Sequence, residues 1–409
     1  MYKKIEKCRG CGGAHLITTL KLGNQFLTGV FPRSKLDNIT CGPLELVWCE
    51  ECHLLQMAHS FSLEEMYGEN YGYRSGLNGS MVHHLQNKVN YLQGLVQLDN
   101  NDAVLDIGSN DATSLKAYKG DFKRIGVDPT GTKFKNYYTN GIELIPTFFS
   151  ATKFRESYPS LNPKIITSIA MLYDLENPGE FIKDICEILH DEGVWHFEQS
   201  YMPSMLRTNS YDTICHEHLE FYSFEVINNL LAKSGMRAID VQMNAVNGGS
   251  FAVTACKINA HYSENKPIIS WLLQQEKLMK LNSADPYLEF SDRIFKHRDS
   301  LKSLINSLVA DGKKVFGYGA STKGNVLLQF CGFTSEEIPF IAEVNSDKFG
   351  SYTPGSLIPI ISEEEAKKMK PDYFLVLPWH FRDDILRREK AYIQAGGKFI
   401  FPMPEIEII

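Results

Sequence analysis

Short apolar runs alternate with segments of helical length along most of the chain, a pattern typical of β-α-β units. In the middle of the chain the runs predict strands at residues 103–107, 124–128, 164–169 and 193–198. Nearer the C-terminus they predict strands at residues 314–319, 338–344, 373–377 and 398–401. Because these runs are almost continuously apolar, we expect two mostly parallel sheets that are covered on both faces.

Two segments interrupt the alternation. The first extends to about Tyr73, is rich in Cys and Gly, and predicts only short strands. The second is a long helical tract at residues 267–310, and a further helix is predicted at residues 81–96. A chain of 409 residues is too long for one ordinary core. We therefore predict three domains, at residues 1–75, 76–262 and 263–409.

The composition narrows the class of protein. With 43% apolar and 22% charged residues, the chain is expected to be globular, and no apolar run reaches the roughly 20 residues of a membrane span. A net charge of −7 argues against a nucleic-acid partner, whose binding surface would be basic. The first residues are followed by no apolar stretch, so no signal peptide is predicted and a cytoplasmic location is expected.

Four of the nine cysteines form two Cys-x-x-Cys pairs, Cys8/Cys11 and Cys49/Cys52. Two such pairs can hold one zinc ion in a tetrahedral site, which would be structural because no coordination position is left for a substrate. Four unrelated thiols are the alternative. The other five cysteines are scattered and odd in number, which argues against a disulfide framework.

A glycine turn follows the first central strand, from Asp106 through Gly108 to Asn110. It lacks the full G-x-G-x-x-G spacing that binds a pyrophosphate, so a dinucleotide is disfavoured. The next strand ends at Asp128, whose carboxylate could bind both hydroxyls of a ribose. A ligand with a ribose and no phosphate fits this pair, and S-adenosylmethionine is such a ligand. An ordinary strand-to-helix turn is the structural alternative.

His216, Glu217 and His218 lie in a stretch with many titratable groups. Histidine can transfer protons near neutral pH, and a neighbouring carboxylate can orient it. The two histidines could instead share a metal ion, although no third ligand is evident nearby. A structural cluster between domains is the remaining interpretation.

A second glycine turn, Gly317-Tyr318-Gly319-Ala320, leads into a helix that carries Lys323. Backbone amides at a helix N-terminus favour anions, and Lys323 adds a positive charge. An NAD site is an alternative, for which Glu343 is the nearest acidic candidate; a turn kept only for packing is another.

Taken together, these motifs resemble the sugar C-methyltransferase family, which acts on nucleotide-linked 4-keto-deoxysugars. The resemblance covers nearly the whole chain. Its motifs are the two Cys-x-x-Cys pairs, Tyr71-x-Tyr73-x-Ser75, the Asp106-x-Gly108 turn, His216-Glu217-His218, Gly248-Gly249-Ser250, Gly317-Tyr318-Gly319-Ala320-x-x-Lys323-Gly324 and Thr353-Pro354-Gly355-x-x-Ile358-Pro359-Ile360. The fold class implied is α/β: an N-terminal zinc-binding knuckle, a central class I S-adenosylmethionine methyltransferase domain with a Rossmann-like fold, and a second Rossmann-like domain.

The resemblance also implies a mechanism, in which a base removes a proton next to the ketone and the enolate attacks the sulfonium methyl group. His218 matches the family's favoured base, Glu217 a residue that supports base or substrate, and Tyr73 a tyrosine near the reacting sugar. The cofactor-binding residues expected are Asp106, Gly108, Asn110 and Asp128. The substrate-binding residues expected are Lys323, Tyr318, His216 and Asn247.

The sequence departs from the family pattern at three positions. Cys215 stands where a Tyr usually precedes His-Glu-His, and Asn247 and Ala252 replace a His and an Arg. Each change removes a charged or donor group, so we expect a different sugar or acceptor position, and O-methylation stays open. An NAD-dependent oxidoreductase and a zinc-stabilised binding protein without catalysis are the rival functions. The oligomeric state is left open, with a monomer favoured.

Overall fold

The computed structural model describes residues 2–62, 65–66 and 74–409, and at Asn247 the backbone only. In these ranges the strands form four sheets of two, four, six and seven strands. Over the same residues, no helix has both the length and the apolar character that a membrane crossing requires.

The N-terminal part is mainly β-structure. Its strands are β1 (Lys3–Lys4), β2 (Leu16–Phe26), β3 (Cys41–Cys49), β4 (Leu55–Met57) and β5 (His59–Ser60). β2 and β3 are 11 and 9 residues long, so the expectation of only short strands is wrong here. Polar residues and Gly23 interrupt the apolar pattern of β2, and two register shifts let it keep pairing with β3 across them.

The middle part contains the seven-stranded sheet. Its strands are β6 (Ala103–Ile107), β7 (Lys123–Val127), β8 (Ile142–Ile145), β9 (Ile165–Ile169), β10 (Val194–Ser200), β12 (Met236–Asn244) and β13 (Ser250–Lys257), with β11 (Glu220–Phe221) outside this sheet. Its helices are α1 (Gly79–Leu95), α2 (Thr113–Ala117), α3 (Gly131–Phe134), α4 (Ala151–Ser157), α5 (Pro178–Ile188), α6 (Met202–Thr208) and α7 (Phe224–Lys233).

The strand order in this sheet is β12-β13-β10-β9-β6-β7-β8. Only β13 runs antiparallel to its neighbours, and the other pairings are parallel. β6, the first strand of this sheet, lies between β7 and β9. The next strands in the chain, β7 and β8, lie on one side of it, and the strands from β9 onward lie on the other side. Such a switch point opens a crevice at the carboxyl ends of the strands, where ligands bind in α/β folds.

The C-terminal part forms a second, six-stranded α/β sheet. Its strands are β14 (Val315–Tyr318), β15 (Ile341–Glu343), β16 (Ile360–Ser362), β17 (Tyr373–Val376), β18 (Lys398–Phe401) and β19 (Glu407–Ile408), in the order β16-β15-β14-β17-β18-β19. Its helices are α8 (Lys266–Leu278), α9 (Asp285–Ala310), α10 (Thr322–Cys331), α11 (Glu363–Lys368), α12 (Arg382–Arg388) and α13 (Lys390–Gln394). All strands except β19 are parallel, and the predicted α/β fold class is confirmed.

The helical tract predicted at residues 267–310 is two helices, α8 and α9. Lys280 has φ 55°, a left-handed conformation that ends the first helix, and Pro286 occupies the first turn of the second. Proline suits that position because the first helical N–H groups lack intrahelical partners in any case.

The three parts share their cores. β11 pairs with β4, so the edge strand of the N-terminal sheet comes from the middle of the chain. One hydrophobic core contains residues of this sheet, of α6 and of the C-terminal sheet. A second hydrophobic core contains Cys8, Cys49 and Leu54 together with apolar side chains of the seven-stranded sheet.

The loop between β2 and β3 also binds α10 and the loop before β16 directly. Asn325 Nδ2 donates to the Thr28 carbonyl at 2.7 Å, and the side-chain amide of Gln329 makes two hydrogen bonds with the backbone of Phe26, at 2.8 and 3.2 Å. The Tyr352 N–H donates to the Pro32 carbonyl at 2.8 Å. We call these contacts the loop clamp; through them the N-terminal part fixes the helix that carries Lys323.

Candidate active site

The four paired cysteines converge on one point. Their sulfur atoms all lie within 4.8 Å of one another, with Cys8–Cys52 at 3.5 Å and Cys11–Cys49 at 3.6 Å. Zinc–sulfur bonds of about 2.3 Å in a tetrahedron place two sulfurs roughly 3.8 Å apart, so these residues fit a zinc ion. Gln56 Nε2 donates to Cys8 Sγ at 3.0 Å, the kind of outer contact that orients a metal ligand. The nine cysteines all lie in the described residues, and none of them forms a disulfide bond.

Arg9, inside the first Cys-x-x-Cys pair, joins this zinc-binding site to the rest of the molecule. Its guanidinium donates to the Met57 carbonyl at 2.6 Å, to Ser60 Oγ at 2.8 Å and to Glu176 Oε2 at 3.1 Å. Glu176 belongs to the loop between β9 and α5, which follows a strand of the seven-stranded sheet. The side chain of Arg9 is buried, so the zinc knuckle is anchored on both sides.

The first glycine turn lies at the switch point of the seven-stranded sheet. Gly108 and Asn110 have φ of 74° and 49°. The Asn110 N–H donates to Asp128 Oδ2 at 2.7 Å, and the N–H and hydroxyl of Thr130 donate to Asp128 Oδ1 at 2.7 and 2.6 Å. A carboxylate has about four acceptor positions, so Asp128 holds the turn and keeps capacity for a further donor. This arrangement fits an adenosyl ligand, with the ribose at Asp128.

Asp106 lies beneath the turn. Thr167 Oγ1 donates to Asp106 Oδ1 at 2.5 Å across the pairing of β6 with β9. Burial raises the pKa of Asp106 to about 7, and the charge of Asp128 acts in the same direction. Above the turn, the N–H groups of Ser75 and Gly76 donate to the side chains of Asn110 and Asp111 at 3.0 and 3.1 Å. The residues before α1 thus cover the predicted donor site.

His218 lines a small cavity that contains residues of β10, α6 and β11. Its Nδ1 lies 2.7 Å from the Thr213 carbonyl, so Nδ1 carries the proton and Nε2 keeps a lone pair. The ring of Tyr173 packs against it edge-on, with centroids 4.4 Å apart. Burial, followed by the positive charge of Lys323, lowers the pKa of His218 to about 4. A neutral imidazole with one fixed tautomer can accept a proton.

Lys323 brings a positive charge of the C-terminal part near His218. It lies in the first turn of α10, close enough to His218 and His380 for its charge to lower the pKa of both, although burial contributes more. Burial lowers the pKa of Lys323 itself, and nearby Asp212 opposes that shift. Trp379 Nε1 donates to Asp212 Oδ2 at 2.8 Å and so ties the end of β17 to the His218 segment.

The carboxyl of Glu217 lies beside Gly29 of the N-terminal part. A Cβ at Gly29 would overlap its Oε1, so this position in the loop between β2 and β3 has room only for glycine while Glu217 stays in place. Burial raises the pKa of Glu217, and a hydrogen bond with the Cys215 thiol acts against it. Cys215 is itself buried. The residue that departs from the family pattern is therefore the hydrogen-bond partner of this buried carboxyl.

Other predicted substrate residues lie apart from the cavity. His216 is fully buried and packs edge-on against Phe61 of the N-terminal part, with ring centroids 4.5 Å apart. The hydroxyl of Tyr318 donates to Glu389 Oε1 at 2.8 Å, on a different side of the C-terminal sheet from Lys323. Tyr73 and the side chain of Asn247 lie outside the described residues. The neighbouring Gly248 packs against Trp379.

The second glycine turn is held by Glu343, much as the first is held by Asp128. Glu343, the acidic candidate for a cofactor ribose, already accepts three backbone N–H groups: those of Ala320, Val344 and Asn345, at 2.7 to 2.8 Å. Its carboxylate therefore closes the turn from inside. Ser321 Oγ caps α10 by accepting the Gly324 N–H at 3.0 Å.

Two residues of the site were not singled out from the sequence. Asp212 pairs with Trp379 across 167 positions, which no local pattern reveals. Glu220 lines the cavity with His218, and its position two residues after the histidine is a signal that could have found it.

Three family models match the chain. Residues 8–67 match one described as "Putative zinc binding domain", residues 81–241 match "Methyltransferase domain", and residues 245–404 match "C-methyltransferase C-terminal domain". The matches therefore follow the N-terminal, middle and C-terminal parts in order.

A full-length relative supports the same assignment. C-methyltransferase NovU of Streptomyces niveus is 31% identical over 411 residues, which cover 100% of this chain and 97% of the relative. Among solved structures, the plantazolicin methyltransferase BpumL with S-adenosylhomocysteine is 13% identical at a TM-score of 0.35, covering 45% of this chain and 88% of its own. LepI with S-adenosylmethionine is 13% identical at 0.34, covering 45% and 54%.

The full-length identity and the ordered family matches carry the assignment. The chain belongs to the C-methyltransferase family and is an S-adenosylmethionine-dependent methyltransferase with a zinc-binding N-terminal domain.

Proposed function

We propose that this enzyme methylates a carbon atom of a nucleotide-linked 4-keto-deoxysugar in the cytoplasm, with His218 as the base. The observation that carries the proposal is the position of His218. Its Nδ1 is fixed by the Thr213 carbonyl, it lines a cavity, and the charge of Lys323 on α10 acts on its ring. An acceptor bound between the two sheets would meet a base and a cation together.

The chemistry follows from these groups. A ketone acidifies the hydrogen on the adjacent carbon, and Nε2 of His218 takes that proton while the electron pair moves toward the ketone oxygen. We infer that the ammonium of Lys323 stabilises the negative oxygen of the enolate. Bound S-adenosylmethionine supplies the electrophilic methyl group, and its sulfur keeps the electron pair of the broken bond. The ketone is regenerated, and the proton stays on His218 until solvent removes it.

The donor is proposed to lie at the turn of Gly108 and Asn110, with Asp128 at its ribose. Asp106 acts beneath the turn, through Thr167, rather than by contact. Glu217 is proposed to position the base segment, because Gly29 and Cys215 enclose its carboxyl. Asn247 and Tyr73 remain proposed contacts of the sugar. His216 and Tyr318 lie apart from the cavity. We therefore propose that they stabilise the structure around the site and do not contact the substrate.

Hydrogen exchange separates the base from the methyl transfer. A panel of nucleotide-linked 4-keto sugars is incubated with enzyme and S-adenosylhomocysteine in D₂O, and deuterium uptake next to the ketone is followed by NMR. We expect uptake by the wild-type enzyme and none by His218→Asn, with unchanged affinity for S-adenosylhomocysteine. His380→Asn, the other histidine beside Lys323, is the matched control. Exchange at the wild-type rate in His218→Asn would exclude this residue as the base.

Turnover with labelled S-adenosylmethionine identifies the acceptor. The label should appear on a sugar carbon, and oxygen-linked label or labelling only of sugars without a ketone would contradict the proposal.

A further inference from the structure

Glu220 lies two residues after His218, at the start of β11. Leu219, which separates the two residues, is buried in the hydrophobic core. His218 and Glu220 both line the cavity, together with Tyr173.

The carboxyl of Glu220 is buried without a hydrogen bond. The residue is 1% exposed, and neither side-chain oxygen has a hydrogen-bond partner among the residues that the structure describes. Arg9 Nε forms an ion pair with Oε1 at 3.9 Å, a distance too long for a hydrogen bond. The donors of Arg9 are directed to Met57, Ser60 and Glu176 instead. Burying a carboxyl in this way is costly unless another molecule completes its hydrogen bonds.

Serine, threonine and tyrosine residues also line the cavity. Met202, Met205 and Phe221 contribute apolar side chains to its wall. A sugar hydroxyl both donates and accepts, so it can pair with a carboxyl in either protonation state. We propose that Glu220 is a substrate-binding residue that holds a hydroxyl group of the sugar acceptor, on the side of the ring next to the carbon that His218 deprotonates. This rests on the proposed function, and it assigns sugar selectivity to Glu220.

A purely structural role is the competing explanation, in which Glu220 balances the charge of Arg9. Glu176 provides the matched control for it. Glu176 hydrogen-bonds Arg9 directly at 3.1 Å, is 46% exposed at its side chain and does not line the His218 cavity. If charge balance at Arg9 were the only role, Glu176→Gln would disturb the protein at least as much as Glu220→Gln.

The test is calorimetric titration of full-length, zinc-loaded protein in the presence of S-adenosylhomocysteine. Ligands are a nucleotide-linked 4-keto sugar and the matching nucleoside diphosphate without sugar, and the proteins are wild type, Glu220→Gln, Glu220→Ala and Glu176→Gln. We expect Glu220→Ala to weaken binding of the sugar nucleotide about tenfold and Glu220→Gln less, because the amide still pairs with a hydroxyl. Binding of the diphosphate, binding of S-adenosylhomocysteine and zinc content should stay unchanged, as should all values for Glu176→Gln.

The outcomes distinguish the two levels of the proposal. If wild type binds no keto-sugar nucleotide, the proposed function fails and the role of Glu220 with it. If wild type binds and both Glu220 variants bind equally well, only the role of Glu220 is overturned. Equal weakening for the sugar nucleotide and the diphosphate, or loss of zinc, would show a structural role and overturn it too.

Discussion

The pH dependence of the reaction tests the environment of His218 directly. Burial and the charge of Lys323 lower its pKa to about 4. Because a base acts in its unprotonated form, activity should be retained as the pH falls until it approaches that value. Replacing Lys323 by Met removes the positive charge, so protonation of His218 becomes easier and its pKa should rise.

The size of the effect follows from the two pKa values. At pH 5.5, a histidine with the ordinary pKa of about 6.5 would be about 9% unprotonated, whereas one with a pKa of about 4 would be about 97% unprotonated. The wild-type enzyme should therefore keep nearly full kcat/KM at pH 5.5, about tenfold more than an unperturbed base would allow. Loss of one neighbouring charge should shift the acid limb of Lys323→Met upward by about one pH unit. Burial, the larger cause, should still hold it below 6.5.

The measurement is kcat/KM from about pH 3.5 to 9 for both proteins, with zinc content and circular dichroism recorded at each pH. These controls are needed because protons compete with zinc for cysteine thiolates. Lys323 is itself a proposed substrate residue, so the position of the limb is compared rather than the absolute rate. A wild-type limb at 6.5 or above, or a limb that does not move upward in Lys323→Met, would refute the reasoning.

Three further outcomes are expected. Asp128→Ala should weaken S-adenosylmethionine binding about tenfold in calorimetry, and unchanged affinity would remove Asp128 from the donor site. Gly29→Ala should lower kcat through displacement of Glu217 without changing donor affinity, whereas Gly79→Ala, which has open space around its Cβ, should have no effect. Cys49→Ser should lower the melting temperature by several degrees and release zinc; the exposed Cys41→Ser serves as control, and equal melting temperatures would exclude a structural zinc site.

The sequence predicted those strands that are marked by a run of neighbouring apolar residues. β6 and β18 have the predicted bounds, and the other predicted strands of the two parallel sheets were found with their ends shifted by at most three residues. Buried parallel strands leave a continuous apolar run that is visible without any alignment. β2 was missed as a long strand because its pairing with β3 continues across bulges, which apolar alternation does not record.

The candidate site was predictable in its residue types and less so in its geometry. His216 and His218 have the same chemistry and lie two positions apart, yet one ring packs against Phe61 and the other lines the cavity. The difference comes from β11 joining a sheet formed by residues 16–57, a pairing between distant parts of the chain. Tyr318 and Lys323 are close in sequence but lie apart in the structure. Tyr318 ends β14 and Lys323 belongs to α10, and the glycine turn between them sends the chain in a new direction.

The loop clamp has a consequence for engineering this enzyme toward other sugars. Exchanging residues 263–409 alone with those of a relative would replace one partner in each hydrogen bond of Thr28 with Asn325, of Phe26 with Gln329 and of Pro32 with Tyr352. The orientation of the helix that carries Lys323 relative to His218 would then depend on new contacts. Chimaeras should therefore exchange the loop between β2 and β3 together with the C-terminal part, so that each helix keeps its own native support.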